Sequence, residues 1–385
     1  MPAFLKNEAE KYLELPYAAD LTDKLITVDR TEKYLGHPDI VQTDSGRVYA
    51  FYPAGHGRGS IIARYSDDFG LTWSDRLTGL PESWTRSRET PTVYRLNMIS
   101  GKSKLVLISG APKWPVMTRG GETYLAMRPD GFNCSVSVDD GKSWSEFENF
   151  YSPRDAIVAM SSLTQVKENG VFVDKWLGTF HDHNFINYKT YLTFDGDKPV
   201  WSTPEPLLSM RRKTEKRVGI CEVEIIRTPN DELLLFGRAE KRKTRSVICL
   251  SRDEGNTWTK PVELPYVLSG DRHKAEYDPE SKKVIVSFRQ ILPIKKGLFG
   301  LKKTLASDGW VAWIGTFDDL ISMAENNNGK RFGEKYYLLG RLKSGADCGY
   351  SGVVIKDKKA LLVSYGAFDE KAENPYIAAV CVKME

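Results

Sequence analysis

The sequence predicts an all-β fold, a six-bladed β-propeller of four-stranded antiparallel blades, on three observations. The first is strand grammar. Short runs of Val, Ile, Leu, Tyr and Phe recur at Val48–Tyr52, Ser60–Tyr65, Lys104–Ser109, Leu233–Phe236, Lys283–Phe288 and Ala360–Tyr365, and Gly, Asp, Asn and Pro break them up. The second is the shortage of helical periodicity: the best candidates, Asn7–Leu15 and Leu320–Asn326, are short. The third is an eight-residue box, Ser-x-Asp-x-Gly-x-(Thr/Ser)-Trp, present as Ser66–Trp73, Ser137–Trp144 and Ser251–Trp258.

Box spacing sets the repeat. The first serines lie 71 and 114 residues apart, and the longer gap holds a degenerate copy, Thr193-Phe-Asp195-Gly-Asp197, followed by Trp201. With it the intervals become 71, 56 and 58, so one supersecondary unit recurs about every 60 residues and 385 residues make six units. Radial repetition of four-stranded sheets suits all-β repeats of this length, and the whole chain then forms one domain with a lead-in of about 25 residues. Each box reads as a hairpin turn. Its Asp accepts backbone N–H groups, its Gly takes a positive φ, and its Trp packs under the blade. That role is structural.

Bulk composition narrows the function. The net charge of +4 is small for 385 residues, and the basic residues are dispersed, which argues against a nucleic-acid partner. The densest basic stretches, 211–216 and 241–245, read as solvated loops. Five widely spaced cysteines, 134, 221, 249, 348 and 381, include no CxxC and are odd in number, so reduced or buried thiols are expected. The first residues carry no apolar core of a secretory signal, and no apolar run approaches the ~18 residues that span a bilayer. A soluble, cytoplasmic protein without a membrane partner is the expectation.

Three good boxes at blade spacing resemble those of the sialidase superfamily, six-bladed propellers with Asp-boxes, over nearly the whole chain. The boxes themselves speak to fold more than to activity. Members of that superfamily use a tyrosine nucleophile activated by a glutamate, because a neutral phenol can approach an anomeric carbon that bears a carboxylate. The family's tyrosine stands in a Gly-Tyr-Ser context, matched by Gly349-Tyr350-Ser351. Its glutamate precedes a strand ending in an arginine of a carboxylate-binding triad, matched by Glu222 and Arg238, sixteen residues apart. Glu224, on the same face of an ideal strand, competes with Glu222.

Elsewhere the match departs from the family. His37, in Gly36-His37-Pro38-Asp39, takes the approximate place of the first triad arginine, and Ser60 that of the acid/base Asp. Asp308 falls near the third arginine, with Arg289 a looser match. The resemblance therefore implies catalytic roles for Tyr350 and Glu222, with Asp39 or His56 as acid/base, since either can hold a proton near neutrality in a suitable environment. It implies substrate contacts from Arg238, Arg289, His37, Arg58, Arg88, Asp308 and His181. Histidine spacing argues against a metal, and no cofactor is expected.

The leading expectation is a retaining exo-glycosidase acting on sialic acid or a related acidic sugar, with an acidic glycan as partner. A propeller polysaccharide lyase, a hydrolase of a non-sialic sugar and a non-catalytic glycan-binding propeller stay open beside it. Linkage, aglycone and oligomeric state are not encoded in any motif.

Overall fold

Six antiparallel sheets surround a common axis. The computed structural model describes residues 4–6, 8–111, 131–152, 156–208, 217–296, 302–326, 331–345 and 347–385; Asn7 and the basic stretch 211–216 lie outside them. Blade 1 has strands Asp39–Gln42, Val48–Pro53 and Ile61–Ser66, and blade 2 has Pro91–Asn97, Ser103–Gly110, Phe132–Ser137 and Glu148–Phe150. Blade 3 runs Leu163–Glu168, Val171–His181, Asn187–Asp195 and Lys198–Trp201. Blade 4 runs Ile220–Arg227, Leu233–Ala239, Val247–Ser251 and Val262–Glu263. Blade 5 runs Gly270–Asp278, Lys283–Gln290, Gly309–Gly315 and Lys335–Arg341.

Blade 6 closes the ring with chain from both ends of the sequence. Gly352–Lys356, Lys359–Gly366 and Tyr376–Lys383 are followed in space by Ile26–Asp29, paired antiparallel to Tyr376–Lys383. Ala19–Asp20 adds a short parallel edge to Lys335–Arg341 of blade 5. The N-terminal segment is thus more than a lead-in, since its strands tie blades 5 and 6 to the start of blade 1. A small accessory sheet, Phe4–Lys6, Lys302–Ser307 and Leu292–Lys296, stands apart from the six blades.

Packing follows the two-residue period of the strands. In Leu233–Ala239, Leu234 and Phe236 pack with Val284, Val286 and Trp313 of blade 5, whereas Leu233 and Leu235 pack with Val166 and Leu177 of blade 3. The same pattern gives one apolar seam between every pair of neighbouring blades. The helix candidates shrink accordingly. The first is a single 3-10 turn, Ala9–Tyr12, and the second a helix, Phe317–Ala324, capped by Thr316 and Asp319 and laid against the blade 4–5 seam.

All three boxes make the expected turn. Asp253 accepts from Thr257 N (2.8 Å), Thr257 Oγ1 (2.6 Å) and Ser251 Oγ (2.8 Å), and Asp68 and Asp139 repeat the set. The tryptophan, however, leans sideways. Trp73 packs into the seam with blade 6, Trp144 into that with blade 1, and Trp258 into that with blade 3. Trp201 of the degenerate copy does the same toward blade 2. Each box therefore clamps its blade to the preceding one.

The cysteines are all free thiols, with Cys134, Cys221, Cys249 and Cys348 buried and Cys381 exposed. Among the described residues no helix is long and apolar enough to cross a membrane.

The clamp generates a stability ranking. A Cβ on Gly141 would lie 2.6 Å from the Tyr49 ring at φ +84. Gly141→Ala therefore combines strain with a clash, and about 2–3 kcal/mol of destabilisation is expected. Asp253→Ala loses hydrogen bonds at an exposed turn and should cost about 1 kcal/mol. Urea unfolding of the two variants checks the order; an Asp253→Ala loss larger than that of Gly141→Ala would contradict the seam role.

Candidate active site

The loops leading into the innermost strands place the site, and their backbone is unusual. His37, Val158, Glu222 and Arg272 all have φ between +49 and +55, at the entry to blades 1, 3, 4 and 5. Side-chain-bearing residues avoid this region, so each represents strain held in place by its surroundings. Blade 6 uses a glycine there. Gly349 has φ +83, and a Cβ on it would lie 2.8 Å from Arg289 Cα, so the residue before Tyr350 must be glycine for the two blades to meet.

The bulge at Glu222 separates it from Glu224. Pairing of Ile220–Arg227 with Leu233–Ala239 slips between Cys221 and Glu224, which breaks the strict alternation. Glu222 turns toward the pocket. Glu224 instead accepts from Ala275 N at 3.3 Å and faces the buried ammonium of Lys274, which Asp39 and Glu276 also surround.

The pocket encloses about 290 Å³ and is lined by residues from all six blades, including His37, His56, Glu89, Val158, Glu222, Arg238, Arg289 and Tyr350. At its centre Tyr350 Oη donates to the Glu222 carboxylate, 2.9 Å from Oε1 and 3.0 Å from Oε2. Arg238 Nη1 donates to Glu222 Oε1 at 2.7 Å and to Tyr350 Oη at 2.5 Å. The Tyr350 ring is fixed by the edge of His37, with centroids 5.1 Å apart, and by Arg289, whose guanidinium carbon lies 5.2 Å from the ring centroid.

Electrostatics separates the groups. Burial pushes the Tyr350 phenol well above its ordinary value despite Arg238, so the phenol is neutral without a base. Burial would also raise Glu222, but Arg238 outweighs it and holds the carboxyl below its usual range, ionised. Glu89 differs. Burial outweighs the Thr90 N–H that its Oε1 accepts at 3.1 Å and the Arg58 charge, and it is pushed up to about 7. Burial lowers His37 to about 3, and it is therefore a neutral imidazole.

A second layer of carboxylates surrounds the arginines. Asp271, fully buried, accepts from Arg289 Nε (3.1 Å) and Nη2 (2.7 Å), from both terminal nitrogens of Arg242, and lies 3.2 Å from Arg238 Nε. Arg238 Nη2 also pairs with Glu240. Asp347 accepts from Arg289 Nη1 (2.9 Å), Tyr34 Oη (2.5 Å) and Tyr365 Oη (2.7 Å), and His56 Nδ1 lies 2.9 Å from it. Because the Tyr365 hydroxyl hydrogen goes to Asp347, His37 Nε2 donates to Tyr365 Oη at 3.1 Å, and His37 Nδ1 is left as a buried acceptor without a partner. His37, His56 and Asp347 bring donor atoms within 4.8 Å of one another, a spacing compatible with a metal. The two contacts to Asp347 and Tyr365 account for the grouping without one.

The structure brings Tyr350, Glu222, Arg238, Arg289, His37, His56 and Arg58 into this one pocket. Four other residues lie elsewhere. Asp39 gives its two oxygens to Ile40 N and Val93 N, 3.0 Å each, and serves the joint between blades 1 and 2. Arg88, exposed, lines a separate cavity with Arg86, Asn133 and Asn149. Asp308 is buried against Tyr17 Oη (2.8 Å), and its backbone N donates to Gln290 Oε1. His181 ends its strand with Nδ1 3.0 Å from the Asp182 carbonyl and bridges by its backbone to Ile157, which lines the pocket while His181 itself does not. The residues at or around the pocket that motif matching missed are Glu89, Asp271 and Asp347. Glu89 directly follows Arg88, and Asp347 stands three residues before Tyr350.

No protein-family model matches the chain, and no curated protein matches its sequence. Solved structures do. A protein of unknown function from Dyadobacter fermentans DSM 18053 aligns with a TM-score of 0.64 at 16% identity, covering 94% of this chain and 98% of that one. The NanB sialidase of Streptococcus pneumoniae aligns at 0.58 and 12% identity, covering 94% and 70%. An α-L-arabinanase of Penicillium chrysogenum, complexed with arabinobiose, aligns at 0.56 and 13% identity, covering 94% and 98%. The chain thus has the six-bladed propeller fold found among sialidases and arabinanases.

Proposed function

We propose that the protein is a retaining exo-glycoside hydrolase whose nucleophile is Tyr350. The observation that carries this reading is the contact of a neutral, buried phenol with an ionised carboxylate, Tyr350 Oη to Glu222 at 2.9 and 3.0 Å, at the centre of a pocket of sugar-unit size. Two glycosidase classes among the fold's neighbours support it.

In the first step Tyr350 Oη attacks the anomeric carbon as its proton passes to Glu222, and the bond to the leaving oxygen breaks. Arg238, bonded to both atoms of the pair, stabilises the charge that moves between them. Glu89 is the acid assigned here, because a carboxyl raised to about 7 still holds a proton for the leaving oxygen at neutral pH. In the second step water attacks the glycosyl-tyrosine and gives its proton to the Glu89 carboxylate, while Glu222 returns the first proton to the phenolate oxygen. His56, exposed and oriented by Asp347, stands at the pocket mouth where the aglycone leaves.

Two outcomes test the mechanism. Tyr350→Phe should lower kcat by ~10³-fold or more while leaving inhibitor affinity within a few-fold, and a 2-fluoro glycosyl fluoride should label Tyr350 in the wild type, read by peptide mass spectrometry. Turnover close to wild type in Tyr350→Phe would exclude the tyrosine as nucleophile.

Glu89 sets the alkaline limb. As pH rises through about 7 the acid loses its proton, so kcat/KM should fall. Glu89→Gln should abolish that limb and slow glycosides with poor leaving groups by roughly 10²–10⁴-fold, with a much smaller loss for activated aryl glycosides. Equal losses for both leaving groups would transfer the acid role to His56.

A further inference from the structure

We infer that the sugar seated against Tyr350 is uncharged, because the protein's own carboxylates already occupy the arginines that would grip an acidic one. This rests on the glycosidase reading above and replaces the acidic sugar expected from Arg238 and Arg289.

Asp271 is the central observation. Its carboxylate is fully buried and bridges Arg238, Arg242 and Arg289. It reaches them because blade 5 enters its inner strand through a bulge at left-handed Arg272, the counterpart of the bulge that aims Glu222. Each nitrogen of Arg238 faces a protein oxygen: Nη1 that of Glu222 and of Tyr350, Nη2 that of Glu240, and Nε that of Asp271 at ion-pair distance without hydrogen-bond alignment. Each nitrogen of Arg289 does too, Nε and Nη2 that of Asp271 and Nη1 that of Asp347. A guanidinium grips a carboxylate with two parallel N–H groups, and a second carboxylate can enter only by displacing the first. With Arg58, which also lines the pocket, four guanidinium charges face the four carboxylates of Glu222, Glu240, Asp271 and Asp347, so an incoming anion would meet no net positive charge.

The remaining lining suits hydroxyls. His37, where a third arginine would supply charge, is a buried neutral imidazole with an unpartnered acceptor at Nδ1. Glu89 Oε2 is likewise buried and unpartnered and carries the O–H of the protonated carboxyl, since Oε1 accepts from Thr90 N, and Thr90, His56 and Arg58 add further polar groups. A sugar hydroxyl can donate to the His37 acceptor and accept from the Glu89 O–H without bringing a charge into the pocket.

The test compares sugar charge at constant chemistry. The wild-type protein is assayed with aryl glycosides of neutral pyranoses and furanoses, with an aryl sialoside and with aryl uronides, and titrated calorimetrically with a neutral iminosugar and with unsaturated sialic acid. A neutral glycoside should exceed every acidic one in kcat/KM by ~100-fold or more, and the iminosugar alone should bind. Asp271→Ala frees the arginines and should bind the unsaturated acid at least ~10-fold more tightly than the wild type. A sialoside or uronide as best substrate, or saturable wild-type binding of the acid, overturns the inference while labelling of Tyr350 leaves the mechanism intact. Iminosugar binding without any turnover keeps the sugar class and removes the enzyme; binding and turnover of neither class overturn both.

Discussion

Each of the six sheets is apolar on both faces, so no blade is buried until both its neighbours are in place. Leu234 and Phe236 face one neighbour while Leu233 and Leu235 face the other, and the apolar interior is divided into seams between blades. The ring must therefore close, and here Ile26–Asp29 of the N-terminal segment completes blade 6 beside blade 1. The boxes act on the same constraint from outside. Their tryptophans sit in the seams with the preceding blades, where the fold has most to gain from holding two sheets at a fixed angle.

A closed ring also decides where chemistry can occur. Six inner strands converge on one end of the axis, so short entry loops from every blade reach a common pocket. The left-handed residues at those entries store strain that the seams hold in place, and they re-aim side chains the strand pleat would send elsewhere. Glu222 and Asp271 both owe their positions to such bulges. Between them lie Arg238 and Arg289, and the proposed preference for an uncharged sugar rests on the balance of charge around these two arginines.

The sequence made the architecture legible because its signals are local. Box spacing, turn residues and strand alternation each act over a few residues, and the six-bladed count followed from a 60-residue period. The tyrosine–glutamate pair was legible for a similar reason, since Gly349-Tyr350-Ser351 and the interval from Glu222 to Arg238 are short patterns. Asp39 shows the limit. It adjoins the pocket residue His37 in sequence, yet its carboxylate is consumed by two backbone N–H groups at the joint between blades 1 and 2. Glu89, Asp271 and Asp347 carry no motif, and their importance comes from burial and from partners on other blades.

The sequence by itself thus determined the repeat, the strand content, and the presence of a phenol, a carboxylate and two arginines at strand ends, because these depend on neighbours within one hairpin. The tertiary structure alone decided which groups share a pocket, which carboxyl keeps its proton and whether an arginine is free. Those properties are set by desolvation and by charges on other strands and blades, 18 residues away for Arg289 and Asp271 and 58 for Arg289 and Asp347, brought within hydrogen-bond distance when the sheets pair and the ring closes.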